Sequence, residues 1–144
     1  MNPVLAAAVM GGLGLVVGSF IAAVSVRLPR DEDIVVARSR CRGCDQTLRP
    51  WELVPVFSWL ALRGRCARCH TRISPRYPLI ELASAGIGIW AGLWGATGGA
   101  STFLIAATAV LGWPPLLIVT VDGAPFWLPA RLTLPLRPPA VPVA

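Results

Sequence analysis

The sequence predicts an all-α integral membrane protein with about three transmembrane helices and a cytoplasmic, zinc-ribbon-like loop of four cysteines between helices one and two. Three observations carry that prediction. The 144 residues are 55% hydrophobic and only 14% charged, whereas a soluble domain carries about 25% charged residues. The charge is also segregated: no charged side chain stands between Met1 and Val26, nor in the 40 residues from Leu82 to Val121. Eleven of the 13 Arg, five of the 7 acids and all 4 Cys lie between Arg27 and Arg76, and the chain has no Lys. So little charge cannot cover a soluble surface of this size, and so much apolar sequence excludes disorder.

Residues 1–28 are the first predicted membrane helix. A hydrocarbon core about 30 Å thick takes roughly 20 apolar residues, and Pro3 to Val26 supply them. The stretch is rich in Ala and Gly (Ala6, Ala7, Ala8, Gly11, Gly12, Gly14, Gly18), which lets helix backbones approach closely in lipid. A cleaved signal peptide is the alternative. The missing basic start and the long apolar run argue for a retained helix.

Residues 29–76 form the polar loop, and residues 77–121 hold helices two and three. These run from about Leu79 to Trp94, with Tyr77 to Ala96 contributing, and from about Thr102 to Val121. Gly95 to Ser101 make the hairpin between them. Pro114-Pro115 predicts a kink or local break in helix three, because neither residue donates a backbone hydrogen bond. Residues 122–144 are a proline-rich tail (Pro125, Pro129, Pro135, Pro138, Pro139, Pro142) that cannot be a regular helix.

Orientation follows from the arginines, since basic loops stay in the cytoplasm. Helix one then runs outside to inside, helix two returns outward, and helix three comes back. Trp90 and Trp94 fall near the outer interface, where indole rings are favoured, and Asp122 falls at the inner one. A cytoplasmic loop keeps its thiols reduced, which favours metal over disulfides.

The pairs Cys41/Cys44 and Cys66/Cys69 are each C-x-x-C, with 21 residues between them. Four thiolates suit Zn²⁺, and a closed four-sulfur shell leaves no open position for substrate. The metal is therefore expected to be structural, stapling a loop too small to build its own core. His70 follows Cys69 and is read as a solvated neighbour, not a ligand. Arg40, Arg42, Arg65 and Arg68 flank the cysteines and are expected to favour thiolate. Trp51, Leu53, Val54, Val56, Phe57, Trp59, Leu60 and Leu62 lie between the knuckles. They either cover the zinc as a small core or lie on the membrane face, with Arg63 and Arg65 among anionic headgroups. The second reading is favoured, making an anionic bilayer the expected partner. Arginines beside zinc knuckles also suit nucleic acid, but topology already accounts for the charge, and no nucleic-acid partner is expected.

Several blocks carry a resemblance. Gly18-Ser19-Phe20, Arg27-Leu28-Pro29-Arg30 and Arg38-Ser39-Arg40-Cys41 come first. Pro55-Val56-Phe57-Ser58-Trp59-Leu60, Arg63-Gly64-Arg65-Cys66 and Ile73-Ser74-Pro75-Arg76-Tyr77-Pro78-Leu79-Ile80-Glu81-Leu82 follow. In this order they resemble the amino-terminal part of the bacterial type IV prepilin peptidase/N-methyltransferase family. The resemblance implies a multi-pass enzyme of the bacterial inner membrane. Such an enzyme cleaves the leaders of type IV prepilins and type II secretion pseudopilins at the cytoplasmic face. It further implies methylation of the new amino terminus with S-adenosylmethionine, and an aspartic peptidase mechanism with two membrane-associated aspartates. Asp122, followed by Leu128-Pro129, matches the first aspartate segment, although Ala130 stands where the family has Asp or Asn. Ala22 likewise stands where many relatives have Asn.

The second motif, G-x-G-D, occurs nowhere; Gly86-Ile87-Gly88 is followed by Ile89. Two carboxylates sharing a proton divide the acid and base roles by pushing their pKa values apart, which one aspartate cannot do. The expectation is an incomplete chain, inactive alone, whose missing helices sit on a second chain or are lost. The alternative is a non-catalytic, zinc-stapled membrane adaptor of a secretion or pilus system. Glu81 is read either as a carboxylate favoured by the dipole at the start of helix two or as a polar contact to substrate or methyl donor.

Overall fold

The computed structural model describes residues 2–34 and 38–122, and of Asp122 the backbone alone. Four α-helices follow one another: α1 (Pro3–Arg27), α2 (Phe57–Ala61), α3 (Arg76–Thr97) and α4 (Thr102–Asp122). Two 3-10 turns, Leu28–Arg30 and Pro50–Leu53, are the other helical elements among the described residues. Among the described residues three helices are long and apolar enough to cross a membrane: Pro3–Arg30, Arg76–Thr97 and Thr102–Val121. The 22 residues of α3 rise about 33 Å, enough for a hydrocarbon core of about 30 Å.

The helix ends follow from local chemistry. Asn2 caps α1 by accepting from the Val4 amide at 2.9 Å, and Pro3 at the first position forfeits no hydrogen bond. Past the 3-10 turn, Asp31 adopts a left-handed conformation (φ 53°) that turns the chain out of the helix line. α3 runs to Thr97, three residues into the segment expected to be hairpin. Gly99, at φ 72°, reverses the chain into α4. α4 continues through Pro114 and Pro115 as one helix, so the expected break does not occur. The carbonyls of Val110 and Leu111 simply go without their helical donors.

α1 and α3 are antiparallel and meet along small residues. Gly14 faces the Ser84 carbonyl and the Ala85 backbone, Gly18 faces Glu81, and Gly92 faces the Ala6 backbone. Contact of backbone on backbone is what a small-residue seam provides in lipid. α4 lies against both helices more loosely. Ile105, Ala109 and Val121 are its buried residues, and its Trp113 indole donates to the Ser84 carbonyl at 3.3 Å. At the loop end of the bundle Ile21, Ala22 and Ile80 form a core on which Val17, Tyr77, Trp113, Leu116 and Leu117 pack.

Large apolar side chains point outward. Phe103, Leu111 and Val4 are 81%, 74% and 71% exposed, the inverse of a water-soluble helix bundle. On α3, Trp90 and Trp94 stack with ring centroids 5.9 Å apart and planes within 10°. The proline-rich residues 123–144 lie outside the described residues.

Candidate metal centre

The segment between α1 and α3 is a finger built from two copies of one turn. In the first, Cys41 N–H donates to the Gln46 carbonyl at 2.9 Å and Asp45 N–H to the Cys41 carbonyl at 2.8 Å. In the second, Cys66 N–H donates to the Thr71 carbonyl at 2.9 Å and His70 N–H to the Cys66 carbonyl at 3.1 Å. Asp45 and His70 occupy the same left-handed position, at φ 54° and 55°. An isolated antiparallel bridge closes each turn, Arg40 with Thr47 and Arg65 with Arg72. Each turn thus holds both sulfurs of a C-x-x-C on one side. Exposed His70 serves the turn and is not part of the sulfur cluster.

All four sulfurs lie within 4.8 Å of one another, with Cys41 and Cys69 3.6 Å apart. A tetrahedral ion with metal–sulfur bonds of about 2.3 Å sets sulfurs about 3.8 Å apart. The thiols are free of disulfides, and the cluster is capable of coordinating a metal ion. Cys41 and Cys66 are 9% and 4% exposed, so half of the donor set is already withdrawn from water. Gly43 sits against Thr71 and Cys69 of the opposite turn; a side chain there would wedge the turns apart.

The four thiols are unequal. Hydrogen bonds from the Thr71 hydroxyl and amide bring Cys69 down to about 6. The amides of Cys69 and Arg68 lower Cys66. At Cys44 an amide bond from Gln46 works downward, but burial and the neighbouring sulfurs outweigh it and push the thiol up to about 11. Amides and a hydroxyl, not the flanking guanidiniums, therefore favour the thiolates. Arg40 pairs with Asp45 at 3.3 Å, Arg42 with Glu32 at 3.5 Å, and Arg68 donates to Gln46.

The apolar residues between the knuckles do not cover the sulfurs as a core. Trp51, Phe57 and Leu60 are 63%, 66% and 59% exposed. Trp59 turns inward, its indole lying against Gly64 and donating to the Ile73 carbonyl at 3.2 Å. The finger is pinned to the bundle by Glu81, 7% exposed. Its carboxylate accepts from the Val56 amide at 2.7 Å, and Ser19 of α1 lies beside it. Glu81 is the sixth residue of α3, past the first turn where a dipole acts, and it binds the protein's own backbone. Val56 sits at φ 60°, a genuine outlier for a β-branched residue. No signal in the sequence pointed to this pairing.

Asp122 ends α4. Its side chain, and Leu128 to Leu136 of the matching segment, lie outside the described residues. Two residues earlier the Thr120 carbonyl accepts from the Arg76 guanidinium at the start of α3. The end of α4, the start of α3 and the foot of the finger therefore share one end of the bundle.

Together the fold and the site define a multi-pass membrane protein carrying a four-cysteine finger between its first two spans. Residues 13–94 match the family described as Bacterial Peptidase A24 N-terminal domain. The chain is 41% identical over 152 aligned residues to a prepilin leader peptidase/N-methyltransferase of Burkholderia pseudomallei (strain K96243), covering 86% of this chain and 47% of the relative. A protein of the same description from Myxococcus xanthus (strain DK1622) is 54% identical over 70 residues, 49% of this chain and 21% of the relative. One from Pseudomonas aeruginosa is 35% identical over 148 residues, 86% of this chain and 49% of the relative. The chain belongs to the bacterial prepilin leader peptidase/N-methyltransferase family. It spans about half the length of several curated relatives it matches. No solved structure matches it.

Proposed function

We propose that this chain supplies the finger-bearing, amino-terminal part of a prepilin leader peptidase/N-methyltransferase. Its substrates are type IV prepilins or type II secretion pseudopilins: a basic leader followed by an apolar helix. It resides in the bacterial inner membrane with the finger on the cytoplasmic side, because eleven arginines between Arg27 and Arg76 hold that loop inside. Cys41, Cys44, Cys66 and Cys69 bind one structural Zn²⁺, and the anionic face of the bilayer is the finger's second partner. Residues 1–28 and 77–121 are the spans, 29–76 the zinc-binding loop and 122–144 a cytoplasmic tail.

Asp122 is the first carboxylate of the peptidase pair. Hydrolysis needs one ionised carboxylate to activate water and one protonated carboxyl to polarise the carbonyl. The second is supplied by polypeptide outside this sequence, in these helices' neighbours or on another chain. The observation that carries this reading is the contact of Arg76 with Thr120. It puts the end of α4, and with it Asp122, at the same bundle end as the finger.

S-adenosylmethionine fits less well. Two concave surfaces of the described residues are lined by Arg76 with aliphatic side chains and by arginines around Trp59. Neither offers an acid to the donor's sulfonium and ammonium groups.

One observation favours the adaptor reading: Ala130 stands where the family has Asp or Asn after the proline. The test is cleavage of a purified prepilin by the chain, alone and together with a polypeptide carrying G-x-G-D. Cleavage by the pair that disappears in Asp122→Asn supports the peptidase. Absence of cleavage in both cases, with co-purification of secretion or pilus components, supports the adaptor.

A further inference from the structure

The two turns of the finger differ in one respect. In the first, the bridge joins Arg40 to Thr47, and Arg40 has Asp45 at 3.3 Å. In the second, the bridge joins Arg65 directly to Arg72, and neither has an acidic partner among the described residues. Like charges placed opposite each other across a bridge repel. A third arginine without an acidic partner among the described residues, Arg63, adjoins them. It adopts φ 51° and Gly64 adopts φ 66°, so the chain doubles back and sets Arg63 and Arg65 on the rim of one depression. That depression, about 450 Å³, is lined by Arg63, Arg65 and Arg72 together with Trp59, Ser74 and Pro75. Three arginines border it, none with an acidic partner among the described residues. The complementary ligand carries at least one full negative charge and several acceptor oxygens, which is the chemistry of a phosphate.

Its position selects the source of that phosphate. Pro75 immediately precedes Arg76, where α3 begins, so the depression opens at the level where the chain enters the bilayer. On α2, two residues before Trp59 and one after it, Phe57 and Leu60 are 66% and 59% exposed. Phosphate-binding cations beside unpartnered apolar side chains fit a molecule with an anionic head and hydrocarbon tails. We propose that Arg63, Arg65 and Arg72, with Trp59 as the wall, form a binding site for the phosphate of an anionic phospholipid, whose acyl chains run along Phe57 and Leu60. The bound lipid seats the finger on the membrane. This rests on the reading of α1, α3 and α4 as membrane spans, which alkaline carbonate extraction tests separately.

The experiment uses the full chain, purified in neutral detergent and stripped of lipid. Native mass spectrometry then follows its titration with phosphatidylglycerol, phosphatidylcholine or inorganic phosphate. The expected result is one tightly held phosphatidylglycerol that neither of the other two displaces. Each guanidinium near a lipid surface contributes about fivefold, so Arg63→Gln/Arg65→Gln/Arg72→Gln weakens that binding on the order of a hundredfold. The variant Arg40→Gln/Arg42→Gln/Arg49→Gln removes the same charge elsewhere on the finger and retains the lipid. A phosphatidylglycerol bearing a photoreactive group near its head labels residues 57–75 of the unaltered chain, a readout independent of how any variant folds. Equal loss in both variants, displacement by inorganic phosphate, or labelling confined to other segments overturns the proposal.

Discussion

Replacing Gly14 by alanine tests the seam on which the bundle depends. A Cβ at Gly14 would stand 2.5 Å from the Ser84 carbonyl oxygen and 2.8 Å from the Ala85 Cα. Both obstacles are backbone, so no rotamer change can absorb the methyl group, and α1 and α3 must separate by about 1 Å locally. Overpacking of this kind costs about 1–3 kcal/mol, and alanine's better helix propensity returns about 0.5–1 kcal/mol. The net expectation is a loss of about 1–2 kcal/mol. Gly12→Ala is the matched control, because a Cβ there meets nothing within 4 Å. It gains the propensity without the clash and stabilises by about 0.5–1 kcal/mol. Both variants are unfolded reversibly in mixed micelles, followed by far-UV circular dichroism. A spin-label pair on α1 and α3 reports the separation. If Gly14→Ala proves as stable as Gly12→Ala, the helices do not meet backbone to backbone and the packing described here is wrong.

Cys41→Ser/Cys44→Ser should drop the metal content from one ion per chain to none and open the finger to protease. Full metal retention would refute the four-sulfur site. In metal-free protein, alkylation at pH 7.5 should reach Cys69 before Cys44, because the first thiol lies near 6 and the second near 11. A depressed thiol is thiolate above its own value, so Cys69 reactivity should persist down to about pH 6 and fall below it; a fall already as pH drops through about 9 would contradict the Thr71 hydrogen bonds. Glu81→Leu should leave the Val56 amide without its acceptor, at about 1–3 kcal/mol. Hydrogen exchange at that amide should accelerate at least tenfold, and unchanged exchange would show that the carboxylate does not hold it. Val56→Gly, relieved of the positive-φ strain at φ 60°, ψ −50°, should stabilise the foot of the finger by about 1 kcal/mol, read as a shift in its thermal unfolding.

The membrane helices were legible because burial in lipid leaves a compositional trace: uncharged runs, Gly and Ala in one helix, a Gly-rich hairpin. The paired cysteines were legible because metal chemistry fixes their spacing. The sequence was silent where two distant residues had to be known to meet. Glu81 reads as a lone acid at the start of an apolar helix until Val56, 25 residues earlier, is seen to donate to it. The arginines misled in the same way. Proximity in sequence to Cys41 and Cys66 suggested electrostatic support for thiolates, whereas Asp45, Glu32 and Gln46 hold Arg40, Arg42 and Arg68. Pro114-Pro115 misled for another reason: losing two donors weakens a helix without breaking it when Trp113 anchors the same turn to Ser84.

The doubled turn of the finger has a consequence for how the protein is made. Each arm closes its own small ring of backbone hydrogen bonds, from Cys41 to Gln46 and from Cys66 to Thr71. Either arm can therefore present two sulfurs before the other has left the ribosome. For a metal taken up by the four sulfurs, capture would be a two-stage event, a loose bite followed by a clasp. The clasp needs nothing from the third span, so the finger can be finished while the last apolar stretch is still being threaded into the bilayer.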